Sequence, residues 1–306
     1  MALANTLGKQ EPSASASRKF GRVDRLMRFL QKPPKEQRRC MLLRWLRHVP
    51  GIPVPVRVAN IGWWLARNDF CGRAMLDDSF ERNERRFVER LLRTGMTVLD
   101  IGAHHGLYTL LASRKVGPQG RVVAFEPSTR DRNNLLKHLR LNRCKNVRVE
   151  AVALGSEAGS GELFVVEGTQ TGCNCLRPPN VAEPTTKIAV EIRTLDESLE
   201  RLGIQQVDFI KIDAEGAELD VFLGAKRLFE RQPRPIILAE VHDTRTITWG
   251  YRSREIVTFL RERGYRCFYL SEHLPLQPLP HDIGDLNENL VAIPNDRKAC
   301  PSFTSC

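Results

Sequence analysis

Acidic and imidazole side chains follow several apolar segments of this 306-residue chain, and such side chains could carry chemistry. Carboxylates and imidazoles can take a proton from a hydroxyl group, and a carboxylate can also bind the hydroxyls of a ribose. If the apolar segments are parallel strands, their carboxyl ends meet at one edge of a sheet, where ligands bind in open α/β folds. The side chains that follow such segments are Asp100, Glu126, Asp213, Glu215, Glu240 and His242. Their convergence predicts one site.

The segment Met96–Thr109 reads as a strand, a glycine turn and the start of a helix. Gly102 and Gly106 allow the backbone to turn sharply and to approach a ligand closely, because neither has a Cβ atom. The amides at the start of the helix then point at that ligand. Glu126 ends a second apolar segment about twenty residues further on, at the spacing of a ribose-binding carboxylate.

The composition of the glycine loop favours one cofactor over another. A dinucleotide fingerprint requires three closely spaced glycines that seat a pyrophosphate, whereas Ala103 and His104 follow Gly102 here. S-Adenosylmethionine has a ribose and an adenine but no pyrophosphate. It is therefore the predicted cofactor, and NAD is the alternative.

Each end of the cofactor has a predicted set of contacts. Asp100 and Gly102 are placed at the methionine end. Glu126 is placed on the ribose, and Ala153 near the adenine, where a small side chain leaves room. A plain tight turn at Gly102 and a helix cap at Glu126 are the alternatives, and the matched spacing of the two residues weakens both. The full predicted cofactor set is Asp100, Gly102, His104, Gly106, Glu126, Ala153 and Asp213.

The predicted catalytic residues are Asp213, Glu215 and His242. Asp213 ends the strand beside the cofactor strand, although it could instead cap the following helix. Glu215 and Glu218 could contact the acceptor or cap that same helix. His242 could be the general base, because an imidazole titrates in the required range, or it could be an ordinary loop histidine. Lys211 shares a strand face with Asp213, which favours a structural ion pair.

No metal site is expected, because no compact ligand motif supports one. Four of the residues at the strand ends could chemically bind an ion, but they are scattered along the chain. Those residues are Asp213, Glu215, Glu240 and His242. The eight cysteines show no C-x-x-C spacing, so we interpret them as mostly reduced thiols.

Strands and helices alternate along the chain, which predicts an α/β fold with a doubly wound, mostly parallel sheet. An added hairpin is predicted over residues 162–166 and 187–193, and a Gly/Asn/Pro-rich loop over 168–184 is long enough to have a function. The seven predicted sheet strands lie within residues 96–101, 121–125, 147–149, 207–213, 235–242, 265–270 and 289–293.

The net charge of +11 is concentrated at the N-terminus. Residues 1–50 hold 12 lysines and arginines against three acidic residues, and the remainder holds 35 against 33. A nucleic-acid groove across the catalytic part is therefore not expected. Residues 1–17 should be disordered, and residues 18–79 should form a basic helical extension with two amphipathic stripes. Its apolar faces could pack on the core or on a second subunit, as in a homo-oligomer, or could dock on an anionic membrane.

No apolar stretch reaches the length of about 20 residues that a membrane helix needs. The first ten residues also lack the apolar core of a signal peptide. We therefore expect a cytoplasmic protein, with contact at the inner face of the membrane as the alternative for the N-terminal helices.

Taken together, these segments resemble an FkbM-type S-adenosylmethionine-dependent methyltransferase. The resemblance covers residues 80–296, followed by a tail over 297–306, and His104 stands where an asparagine is more usual. It implies the Rossmann-like class I methyltransferase fold and a small-molecule or glycan acceptor, methylated on a hydroxyl of a sugar or secondary metabolite. The segments that carry it are VLDIGAHHGLYT, VVAFEPS, VDFIKIDAEGAELDVFLGA, ILAEVH and NENLVAIP.

Two other functions remain open from the sequence. One is a nicotinamide-dependent oxidoreductase, which the glycine loop disfavours. The other is a non-catalytic adaptor that keeps the fold and binds a partner through the basic extension. Retention of Gly102, Glu126 and Asp213 together argues against the adaptor.

Overall fold

The structure is a computed structural model that describes residues 33–48, 52–77, 80–270 and 276–297. The chain divides into two compact units, with the boundary between Ile52 and Pro53. The described residues of the first unit include one helix, α1 (Pro34–His48). The predicted disordered tail over 1–17, the first predicted stripe over 18–31 and nearly all of the predicted tail over 297–306 lie outside the described residues.

The second unit alternates strands and helices. Its strands are β1 (Val54–Val58), β2 (Gly62–Ala66), β3 (Thr97–Ile101), β4 (Arg121–Phe125), β5 (Val147–Glu150), β6 (Ala153–Leu154), β7 (Gly159–Val166), β8 (Thr185–Arg193), β9 (Phe209–Ile212), β10 (Ile236–His242), β11 (Tyr265–Tyr269), β12 (Gln277–Pro278) and β13 (Asn287–Pro294). Its helices are α2 (Phe70–Asp77), α3 (Arg82–Leu91), α4 (Leu107–Val116), α5 (Thr129–Leu141), α6 (Leu195–Arg201), α7 (Glu218–Leu223), α8 (Lys226–Glu230), α9 (Asp243–Thr246) and α10 (Ser253–Glu262).

An eight-stranded sheet in the order β12-β11-β13-β10-β9-β3-β4-β5 forms the centre of this unit. Strands β5, β4, β3, β9 and β10 run parallel to one another. Strand β13 lies between β10 and β11 and is antiparallel to both. The predicted α/β fold is confirmed, with all seven predicted strands present. The two-residue strand β12 adds an eighth strand at the edge. The carboxyl ends of β4, β3, β9 and β10 consequently lie side by side.

The central strands are buried on both faces, which explains their continuous apolar runs. Leu99, Ile210 and Leu238 have no exposed surface, and helices cover the sheet above and below. Burial of each such side chain stabilises the fold by about 1.5–3 kcal/mol before the entropy cost of ordering it. On one face, the ring of Phe229 packs edge-on against that of Phe259 at 5.4 Å.

Strands β1 and β2 form an antiparallel hairpin in the same unit as the sheet. The ring of Trp64 stacks on that of His138 in α5 at 4.1 Å, and the Leu65 amide donates to His138 Nε2 at 3.0 Å. The predicted helical extension over 18–79 was therefore wrong for residues 54–66, where alternating β-branched and aromatic residues favour strands. The division at residue 80 stays a prediction.

The predicted added hairpin is confirmed by β7 and β8, which pair antiparallel from Gly159↔Ile192 to Val166↔Thr185. The loop between them returns toward the carboxyl ends of the central strands and contains a short 3₁₀ turn, Thr171–Cys173. Among the described residues, no helix combines the length and apolarity that crossing a membrane would require.

Candidate active site

A cavity of about 810 Å³ opens at the carboxyl ends of β3, β4, β9 and β10. The β7–β8 loop supplies part of its wall, through residues 169–176. Most of the predicted site residues line it. Those that do are Asp100, Gly102, His104, Glu126, Ala153, Asp213 and Glu215. Gly106 and His242 do not line the cavity.

Gly102 is the point at which the glycine loop and the end of β9 come closest. Its φ of 76° lies in the left-handed region, and a Cβ atom there would stand 1.8 Å from the carbonyl oxygen of Asp213. The amides of Gly102 and Ala103 both donate to the Phe125 carbonyl, at 3.1 and 3.0 Å. The loop is thereby held between β4 and β9, and only glycine fits at its tightest position.

Gly106 has a different role from the predicted contact with the cofactor. It begins α4 with a φ of 90°, and a Cβ atom there would stand 2.3 Å from Leu135 Cδ1 of α5. The missing side chain therefore gives space to a neighbouring helix rather than to a ligand. The spacing of the two glycines predicted the turn correctly, but the sequence alone does not show which of them faces the cavity.

Glu126 is a buried carboxylate at the tip of β4, and it holds the glycine loop from the other side. Its Oε2 accepts from the His104 amide at 2.7 Å, and its Oε1 accepts from the Ser128 amide at 2.8 Å. Burial raises the pKa of Glu126 to about 8, and the nearby Asp131 adds to the shift. A buried acceptor that faces the cavity suits the hydroxyls of a ribose, as predicted.

His104 lies in the left-handed region with a φ of 49°, and its ring lines the cavity. The ring stacks on His105 at 3.8 Å, and its Nε2 lies 3.1 Å from Thr171 Oγ1 in the β7–β8 loop. Burial lowers the pKa of His104 to about 3, so the ring is neutral at ordinary pH. His104 therefore joins the glycine loop to the loop that covers the cavity.

His104, His105 and Asp131 place one atom each within 4.8 Å of one another. Two imidazoles that stack nearly parallel, at 14°, do not aim their lone pairs at a common point. Asp131 is also engaged by Arg130, whose Nη2 lies 3.0 Å from Oδ2. This group is a hydrogen-bonded support for the loops, and its geometry does not suit a metal ion.

Asp100 and Ala153 both line the cavity, and their contacts with the methionine end and the adenine stay predictions. Asp100 is 2% exposed and accepts a hydrogen bond from the Thr109 hydroxyl, and burial raises its pKa. Ala153 is 6% exposed in β6, which pairs with β8 beside the cavity. Its small side chain leaves space on the side of the cavity away from the carboxylates.

A second group of carboxylates closes the cavity at the ends of β9 and β10. One oxygen each from Asp213, Glu215 and Glu240 lies within 4.8 Å of the others. Arg245 holds this group together: its Nε lies 2.9 Å from Glu215 Oε2, and its Nη1 lies 2.9 Å from Glu240 Oε2. We call these four residues the carboxylate–arginine cluster. Because the guanidinium already binds two of the three carboxylates, the cluster does not suit a metal cation.

Asp213 and Glu240 each place an oxygen within 4.8 Å of the other, a separation at which two buried carboxylates repel and one of them takes up a proton more readily. Burial, together with the neighbouring Glu240 charge, raises the pKa of Asp213 well above its usual value. Burial also acts on Glu240, but its contacts with Asp213, His242 and Arg245 outweigh that effect and lower its pKa. Of the two carboxyl groups, Asp213 is therefore the more readily protonated.

Lys211 is 3% exposed and places its ammonium 3.6 Å from Asp213 Oδ2, so the predicted ion pair is present. Glu218 neither lines the cavity nor caps the following helix, as the two predicted alternatives required: its Oε1 accepts from the amides of Ala214 and Gly216 at 2.8 and 3.3 Å. Glu218 therefore caps the turn at the end of β9. Glu215 lies in that turn with a φ of 53°, and burial raises its pKa to about 8.

His242 follows Glu240 by two residues, on the same face of β10, and does not line the cavity. Its Nε2 is 3.3 Å from Glu240 Oε1, and the side chain is 27% exposed. Since Glu240 lines the cavity and His242 does not, this placement does not bring His242 to a bound acceptor as a general base. Its contact with the cluster is made through Glu240.

Three residues near the cavity had no role in the sequence prediction. Arg245 follows the acidic end of β10 by five positions, and a cation just past such a strand end was the available signal. Glu81 and Tyr108 carried no signal, because their contact joins distant segments. The Tyr108 hydroxyl donates to Glu81, and the Lys211 ammonium lies over the Tyr108 ring at 5.3 Å.

The cavity fits S-adenosylmethionine on these observations. Gly102 has no Cβ atom, so a ligand can approach its backbone closely. Glu126 is a buried carboxylate that can accept from a hydroxyl donor. Ala153 leaves room beyond it. When bound, this cofactor supplies a methyl group on a positively charged sulfur.

Comparison with known proteins agrees with this assignment. Residues 100–267 match the model of the methyltransferase FkbM domain. The chain is 31% identical over 203 residues to AMB antimetabolite synthetase AmbE of Pseudomonas aeruginosa, covering 55% of this chain and 9% of AmbE. It is 26% identical over 152 residues to 2-O-methyltransferase NoeI of Sinorhizobium fredii, covering 46% of this chain and 62% of NoeI.

A solved methyltransferase FkbM from Methylobacillus flagellatus is 16% identical, with a TM-score of 0.40, and the match covers 83% of this chain and 58% of that one. The matches therefore span less than two thirds of each of these three relatives. The family model, in contrast, matches more than half of the present chain and includes the glycine loop, Glu126 and the carboxylate–arginine cluster. The chain belongs to the FkbM methyltransferase domain family, whose methyl donor is S-adenosylmethionine.

Proposed function

We propose that this protein transfers a methyl group from S-adenosylmethionine to a hydroxyl of a small molecule or glycan. The observation that carries the proposal is the close approach of Asp213 and Glu240, whose oxygens lie within 4.8 Å of one another at the edge of the cavity beside the Gly102 loop. A pair of this kind can accept the proton that a hydroxyl loses on methylation.

The proposed contacts with the cofactor follow from the positions of four residues. Asp100 and Gly102 flank its methionine end, where the loop approaches Asp213. Glu126 accepts from the ribose hydroxyls, and Ala153 borders the adenine. This placement leaves the reactive methyl group facing the carboxylate–arginine cluster. His104, which is neutral, holds the β7–β8 loop against the cofactor loop.

In the proposed reaction, the acceptor oxygen forms a bond to the methyl carbon while its own O–H bond breaks. The bonding electrons of the broken S–CH₃ bond remain on sulfur, and the released proton enters the carboxyl pair. Lys211, 3.6 Å from Asp213, supplies a positive charge beside the acceptor oxygen as that oxygen loses its proton. In-line positioning of the two reacting groups supplies the rest of the acceleration.

The wall of the cavity on the acceptor side supports a polar, ring-containing acceptor. The rings of Phe70 and Phe80 contact edge-to-face at 6.1 Å and line the cavity next to Glu81. Aromatic faces pack against the C–H face of a ring, while carboxylates accept from its hydroxyls. The name of the relative NoeI, a 2-O-methyltransferase, supports oxygen as the methylated atom.

Calorimetry with S-adenosylmethionine, S-adenosylhomocysteine and NADH tests the cofactor. We expect both sulfur compounds to bind and NADH not to bind. Binding of NADH alone would favour the nicotinamide-dependent oxidoreductase, and binding of none would favour the adaptor.

A labelled-methyl assay tests the acceptor. Radioactive S-adenosylmethionine is incubated with sugar nucleotides, lipid-linked glycans and hydroxylated metabolites in separate reactions. We expect label in an alkali-stable methyl ether of one of these classes. Label found only in amines or in carboxylic esters would contradict O-methylation.

The role of the N-terminal residues stays a proposal. Helix α1 carries Arg38 and Arg44, and Met41 and Trp45 are exposed on it. A basic helix with exposed Met and Trp side chains suits the surface of an anionic bilayer. We therefore propose peripheral contact of a cytoplasmic protein with the inner face of the membrane, and a homo-oligomer as the competing use of the same apolar residues.

A further inference from the structure

His242 lies outside the cavity but within reach of the group that faces it. Its Nε2 is 3.3 Å from Glu240 Oε1, and one oxygen of Glu240 in turn lies within 4.8 Å of an oxygen of Asp213. Asp213 and Glu240 line the cavity, whereas His242 does not. The three side chains therefore form a continuous line from the cavity to a partly exposed imidazole.

We propose that Asp213, Glu240 and His242 form a proton path that carries the proton of the acceptor hydroxyl out of the closed site. This inference rests on the proposed function, since it requires a hydroxyl acceptor. His242 is a positioning and relay residue in this scheme, because it touches neither the acceptor nor the cofactor.

The path is needed because the cluster is enclosed once its ligands are bound. Glu215 and Arg245 cover one side of Asp213, and Lys211 covers another. A bound acceptor would fill the remaining side, which is the cavity itself. The Asp213 side chain is 27% exposed in the open cavity, and with the acceptor bound on that side a proton delivered to Asp213 can leave through Glu240.

The transfer balances with a single proton. As the acceptor oxygen gains its methyl group, its proton passes to the free oxygen of Asp213. One proton then passes from Asp213 to Glu240, and one proton passes from Glu240 to Nε2 of His242. Asp213 and Glu240 end as they began, and the imidazolium of His242 loses its proton to solvent.

The other groups around His242 leave it free for this role. On the neighbouring strand β13, the uncharged Asn287 lies opposite His242, and Glu288 lies opposite Val241. The carboxylate of Asp243 accepts from the amides of Ser253 and Leu286, at 2.9 and 2.6 Å.

Two further charges stand near Glu240 rather than near His242. Arg245 binds Glu240 Oε2, and Glu84 of α3 accepts from the side-chain amide of Asn289, which lies opposite Glu240. Arg245 therefore occupies one oxygen of Glu240 and leaves Oε1 to the imidazole.

Replacement of His242 by glutamine tests the path, because glutamine can still hydrogen-bond Glu240 but cannot carry a proton. The exposed His281, which is remote from the cluster in the fold, provides the matched control H281Q. For the first hydroxyl acceptor that wild type methylates, we expect H242Q to lower kcat by about 10- to 100-fold. Its KM and its affinity for S-adenosylhomocysteine should stay within about twofold of the wild-type values, which corresponds to a change of about 0.4 kcal/mol in binding free energy.

The pH profile separates a proton path from simple loss of packing. Wild type and H281Q should share one pH profile of kcat, and the profile of H242Q should differ from both, because glutamine cannot exchange a proton with Glu240. Added imidazole should restore part of the activity of H242Q only. A profile of H242Q that matches wild type, with normal kcat, would overturn the path while leaving methyl transfer intact.

A readout without turnover covers the case in which the acceptor is not found. In protein with ¹⁵N-labelled histidine, D213N should shift the Nε2 resonance of His242, because the two are joined through Glu240, and should not move that of His281. An unmoved His242 resonance would overturn the path even if S-adenosylhomocysteine binds normally.

Discussion

The backbone of Gly102 lies directly against the carbonyl oxygen of Asp213, so that a Cβ atom at residue 102 would stand 1.8 Å from that oxygen. This contact joins the glycine loop after β3 to the end of β9, where the proposed proton acceptor Asp213 lies. It means that the two halves of the proposed reaction are positioned by one backbone contact. The predictions below begin with it.

Replacing Gly102 by alanine should weaken binding of S-adenosylhomocysteine by at least tenfold and lower the free energy of unfolding by about 2–4 kcal/mol, from backbone strain and overpacking together. Gly95 is the matched control, because its φ of 88° is similar and nothing lies within 4 Å of a Cβ atom there. G95A should cost only the strain, about 1 kcal/mol, and keep binding. Denaturant unfolding and calorimetry measure both, and equal losses in the two variants would contradict the role of the Asp213 contact.

At pH 9, above the raised pKa of Glu126 of about 8, replacing Glu126 by glutamine should weaken binding of S-adenosylhomocysteine by about 10- to 100-fold, since a hydrogen bond to a charged acceptor contributes about 1.5–3 kcal/mol. Glutamine keeps the shape of the side chain, so the free energy of unfolding should change less than the affinity. Glu150, at the end of β5, provides the control E150Q. Unchanged affinity in E126Q would remove Glu126 from the ribose.

The same substitution should alter the dependence of stability on pH. Burial raises the pKa of Glu126 from 4.5 to about 8, so the folded state binds more protons than the unfolded state between these values. The contribution of Glu126 to the free energy of unfolding is therefore complete below pH 4.5 and is lost as the pH rises through 8. As the pH rises from 5 to 8, the free energy of unfolding measured in urea should fall less for E126Q than for wild type. A steeper loss in E126Q would contradict the buried, protonatable state.

Replacing Asp213 by asparagine should lower kcat by about 100-fold or more, because the acceptor proton loses its first receiver. Binding of S-adenosylhomocysteine should change only a few-fold, since the Gly102 contact uses the backbone carbonyl of residue 213. The exposed Asp282 gives the control D282N. Near-normal turnover in D213N would show that Asp213 does not accept the proton.

Replacing Arg245 by methionine should lower the free energy of unfolding by up to about 3–5 kcal/mol, because three clustered carboxylates lose their shared counter-charge. The partial exposure of Arg245, at 30%, reduces this cost toward the lower figure. Arg227 also binds two carboxylates, but its side chain is 50% exposed and solvent screens its ion pairs, so R227M should lower the free energy of unfolding far less than R245M. Unfolding at pH 7 compares them, and equal costs would argue against a buried cluster.

Replacing Arg38 and Arg44 by glutamine should weaken flotation of the full chain with phosphatidylserine vesicles by roughly 30-fold, at about 1 kcal/mol for each arginine. The exposed Arg254 and Arg266 provide a matched double control of the same charge change. Phosphatidylcholine vesicles should bind neither protein. Identical flotation of both double variants would remove membrane contact and leave the apolar side chains for a homo-oligomer.

The strands and the main site positions could be read from the sequence because both are local patterns. Apolar runs such as Val98–Ile101 are buried on both faces whatever their neighbours, and a carboxylate at the end of such a run must lie at the ligand-binding edge. Period-two alternation likewise placed Lys211 beside Asp213.

Other features depended on contacts between segments far apart in the chain. The stack of Trp64 on His138 packs the hairpin of residues 54–66 against α5. It joins residues more than 70 positions apart, so no local sequence pattern predicts it. The same holds for the Tyr108–Glu81 bond. At Gly106 the spacing of the glycines predicted the turn correctly. Only the position of Leu135 shows that the absence of a Cβ atom at Gly106 makes room for a packed side chain.

The sequence by itself determined a doubly wound α/β fold, a cofactor loop at Gly102 with Glu126 opposite, and acidic residues at the ends of β9 and β10. Only the tertiary structure decided how those acidic residues are used. Because β9 and β10 lie side by side, Asp213 lies close to Glu240. Arg245 compensates the negative charge of the two carboxylates, and His242 contacts Glu240 without lining the cavity. The reason is physical: residue types and spacing determine which groups reach the edge of the sheet, whereas proton sharing and charge compensation depend on distances of a few ångströms between separate segments.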